Sequence, residues 1–111
     1  MQEILFEVQG SASEPYQVVF IKRSENTLSA YCSCPAGEMG KHCKHRFNII
    51  DGLTKGIVSD NLGDVQIIQD WVVGTDVEEA LFYMRKIESE AERIKKELSN
   101  AKKIVARAML T

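Results

Sequence analysis

Three thiols and an imidazole fall within fourteen residues: Cys32-Ser33-Cys34, a gap of eight, then Cys43-Lys44-His45. Zinc takes four ligands of this kind, thiols ionised and imidazole neutral, and a loop of this length lets the backbone turn and bring two ligand pairs together. The expected cofactor is therefore one structural Zn2+ per chain, held by Cys32, Cys34, Cys43 and His45 in a site with no open position. His42 stands next to Cys43 and is the alternative imidazole donor; His45 is preferred.

Both pairs have i, i+2 spacing, which puts two side chains on one face of an extended segment but about 200° apart around a regular helix. Cys32 and Cys34 are thus expected at the end of a strand, Cys43 on the approach to a helix and His45 in its first turn. Pro35 and Gly37 supply the bend between them. Other uses of the thiols fit less well. Free cysteine can pack as a small hydrophobe, yet two cysteines around a serine, followed by proline, make poor core. An odd count, a strained Cys-x-Cys bridge and no secretory signal argue against disulfides, and redox sites usually use Cys-x-x-Cys.

The pattern C-x-C, gap, C-x-H, with Pro35 after the second cysteine and an apolar helix after the histidine (Phe47, Ile49, Ile50, Leu53), resembles the SWIM-type zinc finger over roughly residues 16 to 54. The resemblance places that family's zinc ligands on Cys32, Cys34, Cys43 and His45. It also implies a DNA or protein partner.

The chain of 111 residues, 44% hydrophobic and 27% charged, suits one small folded unit with a core modest enough for a metal to matter. No apolar run is long enough to span a bilayer. Thiols kept for metal point to a reducing cytoplasm or nucleus.

The expected fold class is α+β: a small three-stranded antiparallel sheet with a zinc knuckle and short helices, followed by a long C-terminal coiled-coil-like helix. Ile4 to Val8, Tyr16 to Lys22 and Thr27 to Cys32 read as strands, with Tyr16, Val18 and Phe20 on one face and Ser24-Glu25-Asn26 as a hairpin turn. The helix after His45 should end between Gly52 and Gly56. Leu62, Val65, Ile68 and Val72 recur at helical spacing, with Asn61 or Asp64 as cap and Gly74 as terminator, and Trp71 reads as a packing anchor. The expected division is 1–56 for a zinc-binding ββα domain, 57–74 for a short helical connector and 75–111 for a long helix.

That last segment opens with Thr75 and Glu78 as a capping box and contains no Gly or Pro. Val77, Met84, Ala91, Leu98 and Val105 fall seven apart, as do Ala80, Ile87, Ile94, Ala101 and Ala108, which fills the a and d positions of five heptads. Such a helix runs roughly 50 Å, whereas a globule of this mass is about 30 Å across. The stripe therefore calls for a partner unless the helix packs back along its own domain; a homodimer through Val77, Met84, Ile87, Ala91, Ile94, Leu98, Ala101 and Val105 is the expected assembly, with a foreign helix as the alternative partner.

A net charge of −2 argues against a broad phosphate-binding surface. Lys41, Lys44 and Arg46 nevertheless crowd the ligands, with Lys22 and Arg23 on a possible neighbouring strand, so nucleic acid and protein both stand as partner classes. No nucleophile, base and orienting group assemble from the remaining residues, and the expected activity is binding without catalysis.

Overall fold

The computed structural model describes residues 1–111. Strands β1 (Gln2–Val8), β2 (Tyr16–Ser24) and β3 (Thr27–Cys32) form an antiparallel meander in the order β1-β2-β3. Its register sets the core. Phe6 pairs with Val18 and Val18 with Cys32, while Ile4 pairs with Phe20 and Phe20 with Ala30. Because side chains alternate along a strand, both rows face inward, and Phe6, Val18, Phe20 and Cys32 are all buried. Phe6 and Phe20 meet edge to face at 6.1 Å, the arrangement that ring quadrupoles favour.

The β2-β3 hairpin closes through Glu25 and Asn26 between the paired Ser24 and Thr27. Asn26 Oδ1 accepts hydrogen bonds from the Ser24 and Thr27 hydroxyls. The free side of β1 is not left open: the segment 56–58 runs along it, with Gln9 N donating to Gly56 O and Val58 N donating to Glu7 O.

After β3 come a single turn, α1 (Pro35–Glu38), and a short helix, α2 (Lys44–Ile50). The turn α1 is more regular than the bend expected there: Pro35 takes the first helical position, where its missing N–H costs nothing. Helix α3 (Asp64–Val72) lays Val65, Ile68 and Val72 inward. Leu62, expected on the same stripe, falls outside the helix and is half exposed, because Gly63 occupies the cap and the chain before it is a turn with Asp64 N bonded to Asn61 O. Trp71 is partly buried against the core cluster.

The compact unit runs from Met1 to Glu78 and takes in the segment 57–74, whose Val65 and Ile68 belong to the same core as Phe6, Val8, Val18, Phe20 and Ile49. It also holds the start of α4 (Asp76–Ala108). Glu78 N donates to Thr75 Oγ1, and the Glu78 carboxylate reaches back to Gly74 N, one residue beyond the usual capping-box position. Asp76 Oδ1 accepts from Leu28 N, and Asp76 N donates to Asn26 O, which ties this end to the β2-β3 hairpin.

The second unit, Glu79–Thr111, carries the rest of α4, unbroken to Ala108. Leu81 is its buried residue. Ile87, Ile94, Leu98 and Val105 are 44 to 55% exposed, so the a/d stripe is open to solvent. No helix is long and apolar enough to cross a membrane.

Candidate metal centre

The alternation that buries Phe6 and Val18 also buries the first ligand pair. Cys32 is the last residue of β3 and the inward member of its cross-strand row; Cys34, two residues on, keeps the same side. Pro35 then starts α1, which reverses the chain, and Cys34 caps that turn by accepting a hydrogen bond from Gly37 N at 3.3 Å through its sulfur. Gly37 lies directly against β3: a Cβ built on it would stand 2.8 Å from Cys32 Cβ and closer still to the Cys32 carbonyl oxygen. No larger residue fits there without moving a ligand-bearing strand.

The second pair comes from the start of α2. Cys43 is the N-cap, in extended conformation, and makes no side-chain cap bond. His45 stands in the first turn, its ring tilted against Tyr16 at a centroid distance of 5.1 Å. Beneath it Gly10 gives the room, since a Cβ there would crowd the Tyr16 ring and stand 3.2 Å from His45 Nε2.

Cys32, Cys34, Cys43 and His45 thus converge, their ligand atoms all within 4.8 Å of one another, with the three cysteines buried and the histidine partly so. His45 presents Nδ1, which lies 3.7 Å from Cys32 Sγ. A tetrahedral zinc with bonds of about 2.3 Å to sulfur and 2.0–2.1 Å to nitrogen holds its donors about 3.5 to 3.8 Å apart. The cluster needs only a small contraction to reach that geometry, and its donor chemistry is that of a structural zinc site. His42 is exposed and stacks on Phe47 at 3.9 Å, outside the cluster.

The electrostatics differ from thiol to thiol. Burial pushes the Cys32 thiol up to about 12, with the neighbouring cysteines adding to the shift. Burial acts on Cys43 in the same direction, but the hydrogen bonds and charge of Arg46 outweigh it and leave this thiol below its usual value. Burial, helped by the Lys44 charge, lowers His45 and so favours the neutral imidazole that metal ligation requires. Without metal, Cys43 is thus the more readily ionised of these two thiols and Cys32 the more firmly protonated.

The basic residues around the site are not equivalent. Lys41 and Lys44 are exposed. Lys22 Nζ donates to Trp71 O at 2.8 Å and Glu25 O at 3.2 Å, and Arg23 donates to the Ser29 and Tyr31 hydroxyls. Arg46 donates to Cys43 Sγ, Ala30 O and Lys41 O. Sequence reasoning placed Arg46 among phosphate-binding candidates and gave Tyr16 and Gly10 no part in the site. The signal for Arg46 was its position three residues after Cys43 at a helix start, from where a side chain leaning toward the N-terminus reaches the ligand.

No protein-family model, curated protein or solved structure matches this chain, so the likeness to the SWIM-type finger rests on the four-ligand motif and no family is identified.

Proposed function

We propose that the chain is a non-catalytic zinc-binding module which assembles with a second copy through α4 and serves as an adaptor for a protein partner. The observation that carries the zinc reading is the buried convergence of three sulfurs and one ring nitrogen within 4.8 Å. With four protein donors the metal has no position left for water or substrate, which supports a structural role over a hydrolytic one.

Assembly is supported by the open a/d stripe of α4. Burying side chains the size of Ile87, Ile94 and Leu98 stabilises by roughly 1.5 to 3 kcal/mol each, and both chains contribute. Association costs of order 4 to 15 kcal/mol, a cost of the same size as the burial these side chains offer, so the stripe can support self-association. Sedimentation equilibrium tests it: the native chain should be dimeric, and the double change Ile94→Asp, Leu98→Asp should give a monomer that keeps its metal. A native chain that is monomeric at high micromolar concentration would overturn this part of the reading.

Between partner classes, protein is favoured over nucleic acid by the engagement of Lys22, Arg23 and Arg46 with the chain's own oxygens and sulfur. Beside the metal ligands this leaves two exposed lysines, Lys41 and Lys44, few phosphate contacts for that face of a chain of net charge −2. Salt-sensitive binding to single- or double-stranded DNA or RNA, weakened by Lys41→Gln and Lys44→Gln, would instead favour nucleic acid.

A further inference from the structure

A single guanidinium touches all three chain segments that build the metal centre. Arg46 Nε donates to Cys43 Sγ at 3.1 Å, Nη1 donates to Ala30 O at 3.2 Å, and Nη2 donates to Lys41 O. Ala30 precedes the first ligand by two residues, on the strand that forms one edge of the sheet. Lys41 lies in the connection between ligand pairs, two residues before Cys43. The side chain is itself partly buried, so the bonds to Cys43 and Ala30 are partly shielded from water, while the one to Lys41 is exposed.

We propose that Arg46 is a positioning residue of the metal centre: its planar fork fixes the second ligand pair to the strand carrying the first and supplies the charge that balances the loaded site. The proposal rests on the cluster being a zinc site. Three thiolates around Zn2+ leave one net negative charge in a mostly buried environment, and an unbalanced charge of that kind is costly. A guanidinium donating to the sulfur answers it where the charge resides.

Charge alone does not account for the arrangement. Lys44 stands between the two ligands in sequence, yet its side chain is exposed, and an ammonium lacks a rigid fork that reaches a sulfur and two carbonyls at once. Partners that orient metal ligands typically contribute 10- to 100-fold in metal affinity. A hydrogen bond to a ligating sulfur also draws electron density from it, so it should be visible in the metal's spectrum and in the sulfur's reactivity.

The test compares native protein with Arg46→Ala, Arg46→Lys and Lys44→Ala, each loaded with zinc or cobalt. Zinc affinity is measured by competition with a chromophoric chelator. Arg46→Ala should bind about 10- to 100-fold more weakly, Arg46→Lys at least about tenfold more weakly despite keeping the charge, and Lys44→Ala as tightly as native. In the cobalt forms the sulfur-to-metal charge-transfer band should shift in both Arg46 variants and not in Lys44→Ala, a change that mere loss of stability would not produce. Should Arg46→Ala fail to fold even with excess zinc, Arg46→Lys decides alone. Native affinity and an unshifted band in the Arg46 variants would overturn the proposal while leaving the zinc reading intact; native affinity in Arg46→Lys alone would overturn the positioning role. A native chain that takes up no zinc would remove both.

Discussion

Gly37→Ala sets two opposed effects against each other at the metal centre. Gly37 is the third residue of α1 and its backbone is in a region any residue adopts, so propensity favours alanine by up to about 1 kcal/mol, with part of that gain arising from a stiffer unfolded chain. Against this, the new Cβ would stand 2.8 Å from Cys32 Cβ and nearer still to the Cys32 carbonyl, a backbone atom that cannot rotate away. Overpacking of that kind costs about 1 to 3 kcal/mol, and relief requires moving either α1, which Cys34 caps, or the end of β3, which carries Cys32. The clash should win by about 1 to 2 kcal/mol. For a folded unit of this size, 1 kcal/mol lowers the melting temperature by about 4 to 8 °C, so zinc-loaded Gly37→Ala should melt about 5 to 15 °C below native and bind zinc less tightly. Gly63→Ala is the matched control: its backbone is helical, nothing lies within 4 Å of the added atom, and its melting temperature should hold or rise slightly. If Gly37→Ala melts at or above the native temperature when Gly63→Ala does the same, the packing of α1 on Cys32 is not what fixes the first ligand pair.

The histidines separate cleanly, since His45 faces the sulfurs and His42 stacks on Phe47; His45→Ala should abolish tight zinc binding and His42→Ala should leave it near native, as read by chelator competition. The pH dependence of the metal-free fold has two limbs. With its pKa lowered, chiefly by burial, His45 contributes stability that is present above the unfolded value of 6.5 and lost as pH falls below it, whereas Cys32, raised to about 12, contributes stability present below 9.0 and lost as pH climbs above it. Circular dichroism of chelated protein should therefore show the residual folded population greatest between those limits. Zinc affinity should instead keep rising with pH, by at least about tenfold per unit near neutrality, because loading must release the Cys32 proton; an affinity independent of pH between 6 and 8 would show that the thiols are not ligands.

Much of this molecule is written locally. Alternation in Tyr16, Val18 and Phe20 placed an inward face, and the same period carried through to Cys32 and Cys34, so strand, core and first ligand pair follow from one pattern. The heptads and the Thr75/Glu78 cap set α4 as a continuous helix to Ala108. What stayed hidden depends on distance in three dimensions. Nothing about Arg46 in sequence tells that Ala30 O waits sixteen residues away, so it read as one more base in a cluster. Gly37 read as part of a bend, while its actual constraint is the close approach of β3. Leu62 obeyed the helical period but lost to the turn before Gly63. The segment 57–74 read as a connector because its ties to β1, a backbone bond from Val58 and hydrogen bonds of the Ser59 and Asn61 side chains, leave no mark on apolar periodicity.

Metal content of the purified native chain, read by native mass spectrometry before and after chelation, bears on the central claim most directly. The account predicts one zinc per chain in the buried Cys32, Cys34, Cys43 and His45 cluster, with loss of the ion accompanied by loss of cooperative unfolding, since in so small a core the binding energy of the metal is folding energy. A chain that carries no zinc after reconstitution, or one that gives the same melting curve with and without it, would contradict the account.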